Sequence, residues 1–140
     1  MSKRLTHVNS WYAASVPEFP EQPSLEGFQT ADVCILGAGI TGLSTAIECA
    51  EAGLKVIVLE SQRVGWGASG RSGGQAIFGF GCAQHKITSM IGIEDSRKLF
   101  DFSLEGVRII HERCEKFSID CDWRAGHAHV AIKPRHVTEL

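Results

Sequence analysis

An unbroken apolar run, Val33-Cys34-Ile35-Leu36, leads straight into Gly37-Ala38-Gly39-Ile40-Thr41-Gly42. The run is short, carries β-branched residues and is closed by glycine, which reads as a buried parallel strand. From Thr41 to Ala52 the residues Leu43, Ala46, Ile47 and Ala50 recur at helical spacing, and Gly53 stops the pattern. Val56-Ile57-Val58-Leu59 is a second run of the first kind. Strand, helix and strand within about 28 residues is the size of a βαβ unit, two parallel strands joined by a crossover helix.

Each of the three glycines has a physical reason in such a unit. Gly37 permits the tight turn from strand to helix. Gly39 lets backbone approach a pyrophosphate with no Cβ in the way. Gly42 lets the helix sit close to the strand. The helix N-terminus offers N–H groups without intrahelical partners and a partial positive charge, a setting for phosphate oxygens. Ala38, Ile40 and Thr41 complete this cradle. Glu60 closes the second strand, 18 residues after Gly42, with Ser61 beside it. A carboxylate there can accept hydrogen bonds from both ribose hydroxyls of an adenosine and repels a 2′-phosphate, which disfavours NADP. The plainer reading of Glu60 is a solvated residue at a strand end. With strand, glycines, helix, second strand and acid all in order, a dinucleotide site is the stronger expectation.

The segment after Glu60 bears on the choice of dinucleotide. An NAD dehydrogenase continues with another short βα repeat. This chain instead enters Arg63-Val64-Gly65-Trp66-Gly67-Ala68-Ser69-Gly70-Arg71-Ser72-Gly73-Gly74-Gln75, with further glycines at 79 and 81. The stretch is too irregular for a helix and too long for a simple turn, and Trp66, Ile77, Phe78 and Phe80 set it apart from a flexible linker. Long ordered loops in compact domains are usually functional. A second glycine-rich segment suits a larger cofactor, held along its far half by close backbone contacts. Ser69, Ser72 and backbone N–H groups can serve phosphate or ribityl oxygens, and Arg63 or Arg71 can neutralise a pyrophosphate. Surface charge explains the same arginines, and packing over the glycines explains Trp66.

Around this centre the chain is plainer. Residues 1–30 read as an arm broken by Pro17, Pro20 and Pro23, with Trp11 and Tyr12 expected to pack on the body. From about Glu94 to Phe117 an apolar stripe (Leu99, Phe102, Val107, Ile110, Cys114, Phe117) predicts a long amphipathic helix facing the core. Cys121 to Trp123 and His127 to Ile132 suggest short strands that start a second sheet. The fold class expected is α/β: a Rossmann-like βαβ unit, a glycine-rich loop, a long helix and that second sheet, cut short.

Composition excludes several activities. Charged residues make up 21% and hydrophobic residues 44%, an ordinary globular mix. A net charge of −2 offers no basic excess for nucleic acid. No apolar run approaches the ~20 residues of a membrane span, and no apolar signal-peptide centre follows Lys3 and Arg4, so none is expected. Five cysteines without a CxxC pair suggest reduced thiols and a cytoplasmic location. His127 and His129 lack a third ligand at suitable spacing, so no metal is expected. His85 and His111 are isolated, Cys34 and Cys49 suit packing, and Cys82 is a candidate neighbour of a cofactor. About 140 residues hold one core, short for a cofactor domain plus a substrate domain.

The βαβ unit, Glu60 and the run Gly65 to Gln75 resemble the N-terminal part of FAD-dependent amine and amino-acid oxidoreductases of the D-amino-acid oxidase/glycine oxidase superfamily. Ser10-Trp11-Tyr12-Ala13-Ala14-Ser15 is similar to an N-terminal arm, and Ile119-Asp120-Cys121-Asp122-Trp123-Arg124-Ala125-Gly126 to the segment after a first long helix, in the branch acting on γ-glutamylputrescine. The resemblance implies a flavoenzyme that oxidises a small-molecule amine to an imine, which hydrolyses to an aldehyde and ammonia, while oxygen becomes hydrogen peroxide. It implies that Gly37, Ala38, Gly39, Ile40, Thr41, Gly42, Glu60 and Ser61 hold the ADP half of FAD. Arg63, Ala68, Ser69, Gly73, Gly74 and Gln75 would line the path towards the flavin. Residues 63–81 contain no histidine, so attachment of FAD to a histidine there is not expected. On this reading residues 31–140 are the N-terminal part of an FAD-binding domain. The substrate domain and the catalytic residues lie elsewhere, and the 140 residues alone turn over little substrate.

The alternatives are a D-amino-acid, glycine or sarcosine oxidoreductase of the same superfamily, an NAD-dependent dehydrogenase, and a non-catalytic FAD-binding remnant. An NAD enzyme leaves residues 63–81 unexplained. Flavin colour separates it from the flavoenzymes, and flavin retention without turnover marks the remnant.

Overall fold

The computed structural model describes residues 7–16, 20–128, 130–134 and 137. They divide into two compact units, one within Met1–Gly74 and the other within Gln75–Leu140.

In the first unit, β1 (Val33–Leu36), α2 (Ile40–Glu51) and β2 (Val56–Leu59) form the expected βαβ arrangement, preceded by a short helix α1 (Trp11–Ser15). The strands are parallel, with Val33 opposite Val56 and Leu36 opposite Leu59. Asp32 aligns their starts: its carboxylate accepts from Lys55 N–H at 2.8 Å, while its own N–H donates to Lys55 O at 2.9 Å. α2 ends in a Schellman motif, in which Gly53 (φ +83°) donates to Ala50 O and Leu54 to Cys49 O.

The strands are less covered than their composition suggests. β1 alternates between half-buried and exposed, with Cys34 and Leu36 exposed, and β2 is half-buried throughout. A parallel strand is fully buried only with layers on both faces. Here α2 packs on the pair, and arm residues Pro23, Leu25 and Gln29 line an open groove with Ile57, Val58 and Leu59. Trp11 does not pack on the body as expected; it is exposed on α1, a helix started by Ser10 Oγ accepting from Ala13 N–H.

The second unit holds α3 (Gln84–Ile91) and α4 (Ile93–Lys116). The sequence pattern predicts α4 but not α3. Gly92 (φ +83°) separates them in a backbone conformation open to glycine and costly for other residues. Ser96 ties them together. It is 1% exposed, its Oγ accepts from Gln84 Nε2 at 2.7 Å, and it shares a hydrogen with Thr88 Oγ1 at 2.7 Å. The stripe on α4 faces inward only in part: Leu99, Val107 and Cys114 are half-buried, whereas Phe102, Ile110 and Phe117 are exposed. Residues 121–128 and 130–132 are irregular, so no second sheet starts among the described residues. A strand needs a ladder partner, and none of these residues joins a ladder. His129 lies outside the described residues.

Two substitutions test the packing of α3 against α4. Ser96→Ala leaves Gln84 and Thr88 without their shared partner and lowers stability to urea by about 1–3 kcal/mol. Gly106 sits inside α4, where an added Cβ meets nothing within 4 Å. Gly106→Ala raises stability by about 0.5–1 kcal/mol.

Candidate dinucleotide site

The turn between β1 and α2 is built around Ala38, which is 2% exposed. Gly37 N–H donates to Leu59 O at 2.7 Å and extends the ladder by one bond. Ala38 N–H donates to Glu60 Oε2 at 2.8 Å, and Ala38 O accepts from Gly65 N–H at 2.9 Å. One residue of the turn is thereby tied to the end of β2 and to the second glycine-rich segment.

The glycines mark close approaches. A Cβ on Gly42 would lie 2.0 Å from Gly37 O and 3.2 Å from Ile35 Cγ2, so the helix reaches the strand only without one. A Cβ on Gly39 would lie 2.9 Å from Ser69 Oγ. The second segment repeats the first device: a Cβ on Gly70 would lie 2.1 Å from Gly65 O, the same five-residue offset as between Gly42 and Gly37. The sequence reading missed this pairing, although the spacing is visible in the glycines.

Gly39 caps α2 and supplies no side-chain acceptor. Ser69, on the 3-10 turn Ala68–Arg71, supplies one from a distance, its Oγ accepting from Ile40 N–H at 2.9 Å. A hydroxyl that accepts still has a proton to donate. The N–H groups of Thr41 and Gly42 precede the first helical bond, from Leu43 N–H to Gly39 O, and lack intrahelical partners.

Glu60 does more than stand at a strand end. Its Oε1 accepts from Gln62 N–H at 2.9 Å and from Ser61 Oγ at 3.5 Å, while Oε2 holds Ala38. The Ala38 bond first, then the Gln62 bond, holds the carboxyl below the ordinary 4.5 of glutamate. An ionised carboxylate accepts at about four positions, so acceptor capacity remains for ribose hydroxyls.

The structure thus brings Gly37, Ala38, Gly39, Ile40, Thr41, Gly42, Glu60, Ser61 and Ser69 to one place. Ala68 and Arg63 are exposed nearby in sequence, Arg63 opening the turn closed by Trp66 N–H to Arg63 O. Gly73 and Gly74 close the first unit, whereas Gln75 and Cys82 belong to the second. Arg71 lies over the Trp66 ring at 4.7 Å and donates to Trp66 O, and His7 meets the same ring edge-on. Packing therefore accounts for Trp66, although its buried Nε1–H has no partner among the described residues. Among the described residues no three His, Cys, Asp or Glu gather to hold a metal ion. His111 stacks on Trp123 at 4.8 Å, 3.7 Å from the Glu115 carboxylate, and His85 is exposed on α3.

With this geometry in view, the comparison with known proteins is specific. Residues 32–139 match the family described as FAD dependent oxidoreductase. The chain belongs to that family. It is 49% identical over 96% of its length to "Probable oxidoreductase OrdL" of Haemophilus influenzae. It is 41% identical, again over 96% of its length, to the gamma-glutamylputrescine oxidoreductase of Escherichia coli. A second OrdL, from Rhizobium meliloti, is 37% identical over 89% of the chain. The chain covers 31% and 32% of the first two relatives, about a third of their length. No solved structure matches it.

FAD is the cofactor of the family, and the residues present fit it. A glycine-lined cradle, free N–H groups at a helix start, a hydroxyl with a proton to give and an ionised carboxylate complement a diphosphate joined to a ribose.

The two glycines respond differently to a methyl group. Gly42→Ala meets backbone and abolishes FAD binding. Gly39→Ala meets only the Ser69 hydroxyl, weakens binding, and is partly restored by a second change, Ser69→Gly. Titration of flavin fluorescence distinguishes the three proteins. Glu60→Gln weakens FAD by about tenfold, ~1.4 kcal/mol. Because the folded carboxyl lies below 4.5, its contribution is whole above that pH and is lost as pH falls through the lowered value. An acid titration of stability shows this step in the natural chain, and Glu60→Gln removes it.

Proposed function

We propose that these residues are the FAD-holding part of a cytoplasmic oxidoreductase that converts a primary amine of the γ-glutamylputrescine type to an imine. The imine hydrolyses to an aldehyde and ammonia, and oxygen leaves as hydrogen peroxide. The observation that carries this reading is the 41% identity to gamma-glutamylputrescine oxidoreductase, which runs through 96% of the chain and so includes the cradle. Bound FAD supplies the hydride acceptor, and the protein supplies binding and orientation.

The chain's own residues divide that work. Thr41 and Gly42 present N–H groups to the diphosphate. Ser69 relays the Ile40 N–H by donating its own hydrogen to a phosphate oxygen. Glu60 accepts from the ribose hydroxyls while Ala38 and Gln62 hold it in place, and Ser61 supports its outer oxygen. Arg63 adds positive charge, and Ala68, Gly73, Gly74 and Gln75 leave the backbone accessible along the path to the flavin. Residues 63–81 hold no histidine, so FAD is bound without a covalent link to that segment. Five cysteines, an odd number with no CxxC pair, support the cytoplasmic placement. No helix among the described residues is long and apolar enough to cross a membrane.

The test is an anaerobic substrate screen on the full-length gene product loaded with FAD. γ-Glutamylputrescine bleaches the flavin faster than D-alanine, glycine or sarcosine, and air restores the colour with release of peroxide. Faster bleaching by one of the other three substrates assigns the protein to another amine. Reduction of a colourless protein's substrate by NADH alone contradicts the flavin reading.

A further inference from the structure

We infer that Cys114 and Cys121 form a dithiol site that a hydroperoxide oxidises to a disulfide. Their Sγ atoms lie 3.5 Å apart, although the two residues stand seven positions apart in sequence. Local backbone sets this approach. Ser118, in the left-handed region at φ +50°, donates to Glu115 O, and Ile119 donates to Cys114 O at 2.8 Å, a Schellman motif that ends α4 and reverses the chain. Cys121 N–H then donates to Ile119 O at 3.0 Å and turns the thiol back towards the helix. A second contact holds the returning segment: the Trp123 ring lies 4.8 Å from that of His111, on the helix turn before Cys114. Two side chains on α4 thus meet two on the returning segment. The two sulfurs need about 1.5 Å of further approach to reach bonding distance, within reach of side-chain rotation.

The chemistry needs only the peroxide as co-reactant. Burial, and then the Cys121 thiol beside it, pushes the Cys114 thiol up, whereas Cys121 is exposed. The Cys121 sulfur attacks the peroxide, an S–O bond forms, the O–O bond breaks, and the sulfur's proton leaves with the departing alcohol or water. Cys114 then attacks that sulfur. The S–S bond forms, the S–O bond breaks, and water leaves with the Cys114 proton. In sum, two thiols lose two electrons and two protons, and one hydroperoxide is reduced. Disulfides of this reversible kind are compatible with a reducing compartment. The inference is independent of the cradle and of the amine reading.

Trypsin separates the two thiols, because Arg113, Lys116 and Arg124 place Cys114 in one peptide and Cys121 in the next. The chain is treated with one equivalent of hydrogen peroxide, blocked, digested and weighed. The expected product is peptide 114–116 linked to peptide 117–124, with the free thiols falling from five to three. Linkage in the folded chain is about tenfold faster than in urea, because the fold holds the sulfurs together. Cys121→Ser abolishes the link, and Cys82→Ser leaves it intact. Equal rates in folded and unfolded chain would overturn the inference, as would oxidation of Cys121 to its higher acids while Cys114 stays a thiol.

Discussion

The site depends on how Ala38 is held. Its N–H points to a carboxylate at the end of β2, and its carbonyl receives an amide from the second glycine-rich segment. A buried peptide bonded on both sides cannot turn without exposing or orphaning polar groups, each costing about 1–3 kcal/mol. The turn between β1 and α2 is therefore stiff, and the start of the helix points in a defined direction. This is the condition a helix N-terminus must meet to act as an anion site: N–H groups fixed in advance, so that binding does not have to order them.

Glu60 and Ser69 both brace this turn. Glu60 holds Ala38 N–H and, as a carboxylate, has acceptor capacity left over. Ser69 satisfies Ile40 N–H, which Gly39 as a cap cannot do, and a hydroxyl that accepts can still donate. The Ser69 bond, like that from Gly65 to Ala38, comes from a segment beyond the βαβ unit itself. The glycine-rich stretch after β2 is thus part of the cradle's support as well as a candidate path towards the flavin. Membership in a family of FAD-dependent enzymes fits a chain whose two glycine-rich segments are joined in this way.

The βαβ unit was readable because its parts are local. Four apolar residues, three glycines at fixed offsets, a 3.6-residue period and a second apolar run each carry their own signal. The register of Val33 against Val56, aligned by Asp32 and Lys55, carries no such local signal. The tie between Ala38 and Gly65, and that between Ile40 and Ser69, join residues 27 and 29 apart, and no periodicity reports them. α3 was missed because its eight residues, Gln84–Ile91, carry few apolar positions and come after a glycine-rich run. Conversely, Val130 and Ile132 are β-branched, as strand residues often are, but such residues make a strand only where another strand pairs with them. Burial was overestimated for the same reason. Cys34 and Leu36 are apolar at the positions a covered sheet requires, and composition cannot tell whether the cover lies within the same stretch of chain.

The cradle is tested most directly by amide NMR on the chain titrated with ADP, the half of FAD proposed to sit against the turn. The amides of Ala38, Ile40, Thr41 and Gly42 are expected to shift together and saturate with one affinity, which Glu60→Gln weakens. Saturable shifts confined to other residues, with the Gly37–Gly42 amides unmoved, would contradict it.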